Sequence, residues 1–120
     1  MKSTGRAAVA YIVARLVSGF SAGAIYDFSQ RRYIQMSGNV NSSSVQVFVY
    51  EEGANIAGSG DGRSFSLFNY REGSHISLTI TGHAFQGYDY GTGSHFTGNV
   101  SGRSVSLFDY RQGSYFNYSI

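Results

Sequence analysis

The stretch SFSLFNYREGSHISLTIT, residues 64–81, decides what kind of fold this chain adopts. Its second half alternates strictly, with Ile76, Leu78 and Ile80 set against Ser77, Thr79 and Thr81, the period-two signature of a half-buried strand. Its first half, through Tyr70, is rich in Phe and Leu and alternates in part, which also suits a strand. Between them Arg71-Glu72-Gly73 fits a tight turn whose glycine takes positive φ. The stretch reads as strand, turn, strand.

The same reading recurs along the chain. SLFNYREGSHI at 66–76 and SLFDYRQGSYF at 106–116 are near copies, and Tyr50, Tyr70, Tyr90 and Tyr110 step by twenty without insertion. Gly53, Gly73, Gly93 and Gly113 keep that step, as do Gly62, Gly82 and Gly102. So do Phe28, Phe48, Phe68, Tyr88 and Phe108, and Met36, Ile56, Ile76, Phe96 and Phe116. Five units follow: 24–43 (degenerate), 44–63, 64–83, 84–103 and 104–120. A finer alternation has period forty: Gly58 and Gly98 mark units two and four, Leu67 and Leu107 units three and five.

The expected fold is mainly β, five twenty-residue strand-turn-strand repeats in a single domain over 1–120. Two arrangements satisfy the pattern. In a β-solenoid each unit is one rung, and equivalent residues stack ~4.8 Å apart. In a stacked β-hairpin sheet each unit is a hairpin of a continuous antiparallel meander. The unbroken spacing favours the solenoid, which is the expectation here; the turn chemistry favours hairpins.

Residues 1–22 stand apart from the repeat region 23–120. Val9, Ile12, Val13, Leu16, Val17 and Phe20 fall on one face of an amphipathic α-helix, with Ser3 or Thr4 as N-cap and Gly19 as stop. Its length of about 24 Å matches five rungs, so it is expected to lie along the sheet or cap the first rung. Lys2, Arg6 and the small residues at 22–24 also suggest a secretory leader, but Arg15 interrupts its apolar run. A retained helix is the better reading, with a slight preference for the cytoplasm.

Composition excludes several chemistries. The 120 residues contain no cysteine, proline or tryptophan, so disulfides and thiolate metal sites are absent. Charged residues make up 13%, about half the usual ~25%, and the net charge of +2 gives no field for nucleic acid or a membrane surface. Arg31, Arg63, Arg71, Arg103 and Arg111 are nearly balanced by seven acids.

No enzyme is expected. His75 and His95 share a column, yet no carboxylate joins them to complete a metal site. Asp89 and Asp109 resemble a carboxylate pair, but Asn69 and Val49 share their column, which suits a hydrogen-bonding ladder better than catalysis. GTGSHFTG at 91–98 lacks the lysine of a P-loop. No cofactor or metal is implied.

The tyrosine ladder, Tyr50, Tyr70, Tyr90 and Tyr110, is the candidate ligand site, since regularly spaced rings stack sugar faces or quaternary ammonium groups. In architecture the aromatic-plus-glycine unit is loosely similar to choline-binding and other cell-wall-binding repeats, without the tryptophan of their aromatic cages. A second candidate surface is Phe116, Tyr118 and Ile120, apolar residues of what would be an uncharged edge strand. They point to self-association as a closed homo-oligomer. The functional expectation is a non-enzymatic structural, self-assembling β-repeat protein; the alternative is a carbohydrate- or cell-surface-binding module using the tyrosines.

Overall fold

The computed structural model describes residues 1–120. A helix, α1 (Ser3–Ser18), precedes ten strands: β1 (Ala24–Asp27), β2 (Arg32–Val40), β3 (Ser44–Val49), β4 (Ala54–Gly60), β5 (Ser64–Asn69), β6 (Ser74–Thr81), β7 (Ala84–Asp89), β8 (Ser94–Ser101), β9 (Ser104–Asp109) and β10 (Ser114–Ser119). From β3 onward the strand starts step by ten, so each twenty-residue unit is one hairpin.

Every neighbouring pair is antiparallel, and the sheet closes into a barrel. This corrects the solenoid expectation. The turns explain the outcome, because both ends of each hairpin reverse the chain tightly. Four-residue loops such as 70–73 carry glycine at the last position, Gly73 at φ 68° and Gly93 at φ 67°. Two-residue loops such as Gly102-Arg103 begin on glycine, at φ 58°, as type II′ hairpins require. A rung-by-rung coil needs parallel neighbours, which such reversals forbid.

Closure is made by β1, which pairs β2 on one side and β10 on the other through Tyr26↔Ser119 and Asp27↔Tyr118. The strand β10 is therefore paired on both sides at Tyr118 and Ser119, which corrects its reading as a free edge. Tyr118 is buried within the barrel, Phe116 packs under the Arg6 guanidinium at 3.8 Å, and Ile120 is half-buried. The edge on which that expectation rested is covered by β1 from Asn117 to Ser119.

Alternate strand residues point inward, among them Ile34, Met36, Val45, Val47, Leu67 and Leu78. The space they enclose is filled by α1. Residues 5–14 of the helix are all buried, and Ala7 through Ala14 have no exposed surface. The helix runs inside the barrel, correcting the expectation that it covers the sheet or caps an end. Bulky residues occupy one stripe, but Ala7, Ala8, Ala10 and Ala14 make the rest of the surface apolar too, and a helix apolar all round belongs in an interior. At ~1.5 Å per residue its sixteen residues span about 24 Å, which suits a molecule of 31 × 29 × 28 Å. Gly19 ends it in the left-handed region, while the N-cap is Lys2, without a side-chain capping bond, rather than Ser3 or Thr4.

The first hairpin is displaced by two residues relative to the others, because β2 is nine residues long where β4 is seven. Tyr26, not Phe28, thus occupies the place of Phe48 and Phe68, and Phe28 the place of Tyr50 and Tyr70. Arg31 then falls where the other four-residue loops have glycine, and it takes φ 56°. A non-glycine residue held there costs about 1 kcal/mol. Arg31→Gly is expected to stabilise the protein by roughly that amount, read as a higher urea midpoint with unchanged m-value; a lower midpoint would contradict the strain.

The forty-residue alternation acquires a physical basis at the junctions between hairpins. Gly58 lies opposite Leu67 and Gly98 opposite Leu107. Gly38 faces Val47 and Gly87 faces Leu78 at the two junctions between them in kind. Each junction joins one glycine to one large aliphatic, so the wall turns inward on the glycine while the partner fills the interior.

Candidate functional site

The outward positions near one rim carry aromatic rings on every hairpin. Phe68 stands between His75 at 4.9 Å and Tyr70 at 4.8 Å, both edge-to-face. Tyr88 stands between His95 at 4.5 Å and Tyr90 at 4.7 Å, and Phe108 between Tyr115 and Tyr110, each at 4.8 Å. Tyr26 is flanked likewise by Tyr33 and Phe28; in the second hairpin Phe48 meets Tyr50, and Asn55 replaces the third ring. Register produces these clusters. Residues 68, 88 and 108 pair directly across the hairpin with 75, 95 and 115, and the tyrosine lies two positions further on the same face. The central rings are half-buried, and the four ladder tyrosines remain 54–63% exposed.

The ladder tyrosines are not equivalent. Each donates its backbone N–H to the preceding hairpin, Tyr90 to His75 and Tyr110 to His95, and so overhangs a junction. Under Tyr110 lies a groove of about 530 Å³ lined by Gln86, Tyr88, His95, Thr97 and the β6 residues Ser77 and Thr79. Under Tyr90 lies its counterpart one unit earlier, about 460 Å³, lined by Ser66, His75 and Ser77. Each residue that lines the second lies twenty before one that lines the first, Tyr90 for Tyr110, His75 for His95, Ile76 for Phe96, Ser77 for Thr97 and Ser66 for Gln86, while the first groove extends further, to Thr79 and Tyr88. At Tyr50 the phenol instead hydrogen-bonds Ser37 Oγ at 2.8 Å, and beside Tyr70 the corresponding position is Ala57.

The Asn/Asp column performs a different task from the ladder expected of it. Each side chain turns back on its own loop: Asp27 Oδ1 accepts from the Ser29 N–H at 2.9 Å, Asn69 Oδ1 from Arg71 at 3.1 Å, Asp89 Oδ1 from Gly91 and Asp109 Oδ1 from Arg111, both at 3.0 Å. These are Asx turns that hold the four-residue loops. The inner oxygen of Asp109 also receives Arg6 Nη1 at 3.3 Å and the Met1 amino group at 3.0 Å, which ties the helix to the wall. His75 and His95 are exposed on separate hairpins, and no group of three metal-ligating side chains occurs.

Beside this cluster the Tyr118 hydroxyl is buried without a hydrogen-bond partner. Burial first, then the Asp27 carboxylate, push its ionisation well above the usual tyrosine range. An unfolded tyrosine ionises near pH 10, so the unfolded chain gives up its proton first. Stability from the neutral phenol is complete below about pH 10 and falls as pH rises toward the folded-state value. Between pH 10 and 11, wild type is expected to lose about 1 kcal/mol more than Tyr118→Phe. Urea midpoints at pH 8, 10 and 11 give the comparison; parallel curves would contradict it. At pH 8 the variant is expected to match or slightly exceed wild type, since it removes a polar atom that has no partner.

The wall between the two rims is polar outside, with Gln46, Ser66, Thr79, Gln86, Asn99 and Ser106 at outward positions. A transmembrane barrel presents an apolar band there. No helix is long and apolar enough to cross a membrane. Comparison with protein-family models, with curated proteins and with solved structures finds no match for this chain.

Proposed function

We propose that the protein is a non-enzymatic carbohydrate-binding module that works through the groove beneath Tyr110. One observation carries the reading: an exposed, pre-positioned ring overhangs a floor of hydroxyl and amide groups with no carboxylate among them. An aromatic face carries partial negative charge, and the C–H bonds of a pyranose face present the positive counterpart. Gln86, Thr79, Thr97 and Ser77 provide donors and acceptors for ring hydroxyls. Packing against Phe108 holds the Tyr110 ring, so little side-chain entropy is lost on binding. No Asp, Glu, Lys or Arg lines the groove, which favours a neutral ligand.

A lipid surface fits less well, because the loops beyond the aromatic belt carry Arg31, Glu51, Glu52, Arg71 and Arg111, which would have to enter the bilayer first. The self-assembly reading has lost the open edge that motivated it.

The test is a glycan array followed by calorimetry on wild type and Tyr110→Ala. Loss of one stacking ring is expected to weaken binding about tenfold. Because the ring is exposed, the melting temperature should barely move. An array with no bound glycan, or binding indifferent to Tyr110→Ala, would overturn the proposal.

A further inference from the structure

We infer that the grooves beneath Tyr90 and Tyr110 are two subsites of one track, and that the track takes a chain of neutral sugars rather than a single terminal residue. The inference rests on the carbohydrate reading and adds to it the class of ligand. Its first support is repetition. Two grooves with corresponding linings occur one unit apart, each with a tyrosine overhead, a histidine at the side and hydroxyl groups on the floor. Its second support is continuity. Ser77 lines both grooves, lying directly across from Tyr88 on β7 and from Ser66 on β5. No charged loop intervenes, because the track crosses strands by way of their outward side chains. Neighbouring strands lie about 4.8 Å apart, so a step of one hairpin is about 10 Å along the wall. That step exceeds one pyranose ring, so filling both subsites takes at least a disaccharide and more comfortably a longer oligomer.

The other hairpins supply contrast. At Tyr50 the bond to Ser37 draws the phenol onto the floor that a sugar would use. At Tyr70 the position of Ser77 and Thr97 is Ala57, which offers no hydroxyl. The four tyrosines that look alike in sequence thus divide into two that serve the ligand and two that do not.

Linking two weak subsites makes the second contact intramolecular, and affinity rises without any new chemistry. The experiment is calorimetry with β-1,4-glucose, α-1,4-glucose and β-1,4-N-acetylglucosamine oligomers of one to six units. Wild type, Tyr50→Ala, Tyr70→Ala, Tyr90→Ala and Tyr110→Ala are compared, with melting curves as the control for folding. For at least one series the hexamer is expected to bind wild type ten or more times as tightly as the dimer. Tyr90→Ala and Tyr110→Ala should each remove most of that gain, while Tyr50→Ala and Tyr70→Ala keep it. Hexamer binding no tighter than dimer binding, or loss on Tyr110→Ala without loss on Tyr90→Ala, would overturn the shared track and leave the single carbohydrate site standing. Binding that also falls in Tyr50→Ala and Tyr70→Ala would overturn the division of the ladder. No binding by any series, with phosphocholine or anionic vesicles binding instead, would remove both the carbohydrate reading and this inference.

Discussion

A chain lacking residues 1–20 is expected to yield no folded barrel. The segment is the centre of the molecule: Val9, Tyr11, Ile12 and Val13 have no exposed surface, and neither do Ala7, Ala8, Ala10 and Ala14 around them. Full burial of a large apolar side chain stabilises by roughly 1.5–3 kcal/mol, so the four large residues alone account for about 10 kcal/mol. That is comparable with the whole stability of a domain, ~5–15 kcal/mol. The strands would also face an empty interior, since Ile34, Val47, Leu67 and Leu107 belong to the same buried cluster as the helix. Circular dichroism and size-exclusion chromatography of the truncated chain should show aggregation or loss of the β signal. A soluble, monomeric, cooperatively melting product would refute the central role of α1. Ala10→Asp gives a subtler version, because it places a carboxylate among apolar neighbours and should cost several kcal/mol in urea unfolding.

The strands were legible because Ile76, Leu78 and Ile80 alternate and because glycines punctuate the units; the same period serves parallel and antiparallel pairing, so the direction of the neighbours was not. It was the turn residues that held this information. Gly73 and Gly102 mark reversals, whereas regular spacing carries no sense of direction. The helix was legible as an element but not in place. Its bulky stripe marks only one face, whereas the small side chains of Ala7, Ala8, Ala10 and Ala14 let the wall approach from the other sides. The two-residue displacement of the first hairpin was hidden for a different reason: an even shift preserves which side chains face inward, so Phe28 still looked like a member of its column. Of the candidate site, the recurrence of Tyr50, Tyr70, Tyr90 and Tyr110 was legible from their spacing, but their exposure was not, since it depends on which face of the closed wall they occupy. The grooves were not, since each is assembled across a junction from residues such as Gln86, Thr97 and Tyr110 that only strand register brings together.

Replacement of the junction glycines should show how the wall closes around its helix. A Cβ on Gly58 would overlap the backbone carbonyl oxygen of Ser66, and one on Gly98 that of Ser106. Gly38 and Gly87 stand in the same relation to Gln46 and Ser77. These obstacles are main chain in a paired strand, so no rotamer change relieves them, and the strands must separate or the bend must open. Overpacking of this kind costs ~1–3 kcal/mol where side chains can adjust, and the upper end or more is expected where they cannot. Gly102 provides the control: it has positive φ, 58°, but nothing within 4 Å of its missing Cβ. Gly102→Ala should cost about 1 kcal/mol, from conformation alone. Gly98→Ala should cost about 3 kcal/mol. In the double variant Gly58→Ala/Gly98→Ala the two sites lie on different junctions with β6 and β7 between them, so their effects should add to about 6 kcal/mol. A loss of that size takes a domain of ordinary stability close to unfolding at 25 °C. Urea denaturation of the three variants ranks them, and equal midpoints for Gly98→Ala and Gly102→Ala would remove the close approach as the reason for glycine. Gly87 extends the consequence to function, because it lies in the wall of the groove beneath Tyr110. There the bend that lets the barrel close also shapes the outer surface that the ligand is proposed to use.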